Sequence, residues 1–108
     1  MKIAFTFLAL VVSSVSHATT FNLDAACKVR IAQLSESLVS VGLSAYGITT
    51  KPIVEVENSV ILNGELDQPV NAKYSASLSD GTVIEGETTT LVFNVSSLCV
   101  PRSVELKD

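Results

Sequence analysis

The chain has 108 residues, 47% of them apolar, 17% charged and 6% aromatic, with a formal net charge of −4. That is the size of one ordinary small globular domain. Three Pro and five Gly are too few for a collagen-like or disordered chain.

Residues 1–18 read as a cleaved secretory signal. Lys2 supplies a positive start, Ile3 to Val12 an apolar run, and Ser16-His17-Ala18 a small-residue ending. The run is far shorter than the roughly 20 residues that span a bilayer, so no membrane span is expected after cleavage. Asp24-Ala25-Ala26-Cys27 is a poor lipidation site, because an acid stands third before the Cys and polar residues separate it from the apolar run. The expected mature form is a single domain, 19–108, in the periplasm of a bacterial envelope or outside the cell. Lys2 would leave with the signal, reducing seven basic residues to six against eleven acidic ones. The only His, His17, would leave with it.

Two Cys in an exported chain of this size read as one disulfide, Cys27 to Cys99. The closed loop spans most of the domain and is worth about 4 kcal/mol in the chain-entropy model. A reactive pair would be closely spaced, as in Cys-x-x-Cys, and these two are far apart.

From Asn22 to Tyr46 the pattern is helical. Cys27, Ile31, Leu34, Leu38, Val41 and Ala45 form one stripe, with Lys28, Ser35, Glu36 and Ser37 on other faces. Asn22 or Asp24 caps the start and Gly47 stops the helix in a left-handed conformation. Fewer than three heptads favour a helix buried on a sheet over a coiled coil. Val29, Val39 and Leu43 on the less favoured side leave room for a second packing surface.

After Pro52 the period becomes two. Val54, Val56, Val60, Leu62 and Leu66 share one face of a strand over Ile53–Leu66, bent near Asn58 or Gly64. Ala72, Tyr74, Ala76 and Leu78 alternate with Lys73, Ser75 and Ser77, and Ser79-Asp80-Gly81 forms a three-residue turn with Gly81 left-handed. With Asp67–Asn71 as the preceding loop, Lys73 lies between Glu65 and Glu87, and Tyr74 between Gly64 and Gly86, both favourable cross-strand sets. A two-residue Asp-Gly turn would instead turn Glu85 and Glu87 into the core, at a large desolvation cost. Apolar parity then slips between Ile84 and Leu91, which predicts a bulge or break within Gly86–Thr90. Ser96-Ser97 turns the chain into a last strand, Leu98–Leu106, where Pro101 marks an edge or kink. The expected fold is α+β: one N-terminal amphipathic helix packed on an antiparallel meander of four to five strands, held by one disulfide.

Without an imidazole, hydrolytic triads, Cys-His dyads and the usual zinc sites are excluded from the mature chain. No phosphate-binding Gly loop is present, and scattered basic residues in an acidic chain make a poor nucleic-acid binder. Neither a cofactor nor a metal is expected, since no Asp/Asn-rich calcium loop occurs. Glu55, Glu57, Glu65, Glu85 and Glu87 fall on the outer sheet face with Lys73 near their middle. Such carboxylates serve a glycosidase only when burial separates their pKa values, and these positions are solvated. The residues read either as a solubilising face or as a contact surface for a basic envelope or secreted protein. Thr88-Thr89-Thr90 joins that surface or simply follows strand propensity. Asn94-Val95-Ser96 fits a glycosylation acceptor only incidentally in a bacterial protein. The sequence thus predicts a non-catalytic binding or inhibitory module. The alternative is a structural component that forms a homo-oligomer through a sheet edge or helix face.

Overall fold

The computed structural model describes residues 19–62 and 67–107. Residues 1–18, expected to be a signal, and Glu65, Leu66 and the bend expected at Gly64, lie outside the described residues. The fold is α+β, with one helix on two antiparallel sheets and a Cys27–Cys99 disulfide. In chain order the elements are β1 (Thr19–Asn22), α1 (Ala25–Ser44), β2 (Ile53–Val56), β3 (Ser59–Leu62), β4 (Asp67–Ser77), β5 (Val83–Phe93) and β6 (Val100–Lys107). The main sheet has the order β2-β4-β5-β6, while β1 pairs with β3. The sequence reading missed β1, so the helix follows a strand instead of opening the fold.

Helix α1 is bounded by local chemistry. Asp24 Oδ1 accepts the Cys27 amide at 2.7 Å, satisfying one of the free donors of the first turn. At the other end Gly47 has φ +77°. Its amide donates to the Ser44 carbonyl, and that of Ile48 to the Leu43 carbonyl, the bonding pattern of a left-handed stop.

The buried stripe of α1 is Cys27, Ile31, Ser35, Val39 and Leu43. This corrects the expected stripe beyond Ile31: Leu34 is 38% and Val41 70% exposed, Leu38 is half-buried and Ala45 exposed. A row of four-residue steps drifts about 40° around the helix per step, which follows the surface of a twisted sheet, whereas alternating steps of three and four do not. Val39 and Leu43, expected on a second surface, are therefore core residues, and Ser35 is buried with them.

The strand expected over Ile53–Leu66 breaks at Asn58, and its halves enter different sheets. Asn58 is tied on both sides: its carbonyl accepts the Leu23 amide at 2.8 Å and its Oδ1 accepts Lys28 Nζ at 2.6 Å. Strands β4 and β5 form an uninterrupted ladder of eleven pairs, with Lys73 opposite Glu87 and Tyr74 opposite Gly86 as expected. The Leu78 amide donates to the Thr82 carbonyl, and Gly81 has φ +89° in the three-residue turn. On the other side of β4 the expectation fails. Asp67 already belongs to β4, whose neighbour is β2, so Lys73 faces Glu55 instead of Glu65 and Tyr74 faces Val54 instead of Gly64.

No bulge interrupts β5 against β4. Thr88 and Thr90 occupy core-facing positions of β5, both 0% exposed, so the apparent parity slip arose from reading threonines as surface residues. The irregularity lies in the β5–β6 ladder, which steps from Leu91 opposite Ser103 to Val92 opposite Pro101 and leaves Arg102 as the extra residue. Cys99, with φ +49°, stands outside β6. Together these features let Cys99 reach the core while Val104 and Leu106 share a face on an edge strand.

The core falls into two clusters. Leu23, Cys27, Ile31, Val60, Val70, Val92, Val95 and Cys99 form the larger; Val39, Leu43 and Ala76, with Tyr74, Ile48 and Ile84 against them, form the smaller. Arg30 Nη1 donates to the carbonyls of Leu98 and Cys99 at 3.1 and 3.2 Å, holding α1 to the turn beside the disulfide.

Candidate functional site

The face of the main sheet turned away from α1 carries most of the residues singled out in the sequence. Antiparallel partners share a face, so the register builds rows across the strands. One row runs Glu55, Lys73, Glu87 and Lys107 across β2, β4, β5 and β6, an alternation of charge. The row beside it holds Ile53, Ser75 and Glu85. On the other side stand Asn71, Thr89 and Glu105, reached by Glu57, whose amide donates to the Asn71 carbonyl at 3.0 Å. Thr89 Oγ1 donates to Asn71 Oδ1 at 2.9 Å, which fixes the floor of this row.

Glu55, Glu57, Lys73 and Glu85 are exposed and Glu87 is half-buried. Glu65 lies outside the described residues. Among the described residues these groups form no ion pair; the pairs present are Lys51–Glu36 and Arg102–Asp67, at 3.5 and 3.6 Å. The Arg102 guanidinium also lies 5.7 Å from the centre of the Phe93 ring.

Two shallow depressions adjoin on this face. One of about 450 Å³ is bounded by Ile53, Glu55, Lys73, Glu85 and Glu87. The other, of about 250 Å³, shares Glu55, Lys73 and Glu87 with it and extends to Glu57 and Asn71. Tyr74 lies over Gly86 from the helix side, so that a methyl group at Gly86 would overlap its ring. The absence of a side chain at Gly86 is what lets this part of the sheet lie close under an aromatic ring.

The structure thus brings together four of the five glutamates and the lysine predicted from sequence. It also corrects the set. Thr88 and Thr90 are buried on the helix side, and of the threonine run only Thr89 reaches the outer face. Glu105 and Lys107 were missed because their orientation depends on the extra residue Arg102, which the chain marks only by the conflict between Cys99 and Val104. With them the face carries five carboxylates outside any ion pair, Glu55, Glu57, Glu85, Glu87 and Glu105, against the ammonium groups of Lys73 and Lys107, and at its far end the paired Asp67 and Arg102. No described helix is long and apolar enough to cross a membrane.

Compared with known protein families, curated proteins and solved structures, the chain matches none.

Proposed function

We propose that this chain is a small exported, non-catalytic binding or inhibitory module that receives a basic protein on the outer face of its main sheet. The observation that carries the reading is the excess of carboxylates on that face, with no ion pair among them and the described lysines. A net excess of negative surface charge attracts a cationic partner and speeds encounter. The disulfide supports an oxidising compartment. Capture from an envelope extract on the immobilised chain, with elution at rising salt and mass spectrometry, tests it. A single basic protein released by moderate salt supports the reading, and recovery of the chain alone overturns it.

A second reading, self-assembly, is favoured by one observation. The stripe Leu34, Leu38, Val41 and Ala45 has coiled-coil spacing and leaves Val41 70% exposed. Sedimentation at several concentrations separates the two, since a monomer throughout excludes the second.

A further inference from the structure

Strand β2 ends the main sheet on one side, and no described residue pairs with its outer edge. The Glu57 amide bonds to the Asn71 carbonyl, so the alternation of an antiparallel ladder makes Glu55 with Lys73 the next hydrogen-bonded pair. Val54 and Val56, lying between, therefore direct their N–H and C=O groups to the open edge.

Both faces of that edge are hollow. On the helix side Val54 and Val56 join Ala25, Val29 and Ala32 in a groove of about 380 Å³. At its end Lys28 is turned to Asn58. On the outer side the two depressions begin at Glu55.

We infer that β2 accepts an extended segment of a partner as an added antiparallel strand, and that this segment alternates apolar with basic side chains. Residues bonded to Val54 and Val56 share their face and enter the groove. The residues between them share the face of Glu55 and Glu57, where Lys or Arg meets the carboxylates. Main-chain bonds then supply affinity, and alternate side chains supply selectivity. The basic half of this pattern rests on the proposed acidic contact face; the edge and the groove do not.

The test uses the full chain and two peptides of identical composition, one alternating valine with lysine and one with the two residues in separate blocks. Backbone amide exchange and chemical shifts are read by nuclear magnetic resonance. The alternating peptide is expected to slow exchange at Val54 and Val56 by about tenfold or more, and the block peptide to leave it unchanged. Val29→Lys, on an exposed helix position, should weaken binding of the alternating peptide about tenfold without unfolding the chain. Shifts at Glu55, Lys73 and Glu87 with unchanged exchange at Val54 and Val56 would overturn strand addition while leaving the acidic face in place. Slowed exchange that survives Glu55→Lys with Glu57→Lys would instead remove the basic half of the pattern. Concentration-dependent protection without peptide would assign the edge to a second copy and overturn the inference.

Discussion

Thr88 donates its hydroxyl hydrogen to Ser35 Oγ at 2.9 Å across the interface of α1 and β5, and neither side chain is exposed. Two positions on, Thr90 is equally buried, yet its hydroxyl has no hydrogen-bond partner. The same substitution should therefore act in opposite directions. Thr88→Val leaves Ser35 unpaired and is expected to cost about 1–2 kcal/mol, whereas Thr90→Val removes an unpaired hydroxyl and is expected to stabilise by about 1 kcal/mol. Urea denaturation of the two variants measures both, and changes of the same sign would contradict this account of the polar interface.

Helix α1 gives a second contrast. Val39 is 3% exposed and Val41 70%. Val39→Ala is expected to lower stability by about 2 kcal/mol through lost burial and a residual cavity, while Val41→Ser should change it by less than about 0.5 kcal/mol. A loss at Val41 as large as that at Val39 in thermal unfolding would contradict the buried stripe described above.

The difference between those two valines shows where the sequence was legible. The existence and ends of the helix, the disulfide, the Ser79–Gly81 turn and the pairing of Lys73 with Glu87 all follow from short-range chemistry: an Asp cap, left-handed glycines, two cysteines, strict alternation. The choice between competing apolar stripes does not, because Leu34 and Leu38 are as apolar as Val39 and Leu43 and only the twist of the sheet decides between them. Threonine hid the core face of β5 in a similar way, since Thr88 and Thr90 are polar in composition but buried in place. Glu55 replaced Glu65 beside Lys73 because alternation continues across Asn58 although the chain changes sheets there. The site survived that error, as Glu55 supplies a carboxylate beside Lys73.

The disulfide joins residues 72 positions apart, with both cysteines buried. Replacing Cys27 and Cys99 together with Ala is expected to lower stability by about 4 kcal/mol, chiefly by releasing the unfolded chain. Guanidinium denaturation of the variant checks this, and a loss below about 1 kcal/mol would show that the bridge adds little to α1 and its contacts.

Asp80 gives a pH dependence with a definite sign. The Thr82 backbone amide donates to Asp80 Oδ1 at 2.9 Å, and this bond, with one from the Thr82 hydroxyl, holds the carboxyl below its ordinary value of 3.8. A depressed carboxylate stabilises the fold above the unfolded value, and the contribution is lost as pH falls through the folded one. The β4–β5 turn should therefore keep its Thr82 amide protection at pH 5 and lose it only below about pH 4. Titration of the Asp80 carboxyl carbon by nuclear magnetic resonance measures the midpoint, and a value above 3.8 would contradict the assigned bonds.

The contact face itself is tested by comparing two immobilised forms of the full chain, the native one and the variant with Glu55→Lys, Glu57→Lys and Glu87→Lys. Circular dichroism first establishes that both are folded. Both are then exposed to the same envelope extract and eluted with rising salt. The account predicts a basic protein that the native chain retains and the variant does not; retention of that protein equally by both would contradict it.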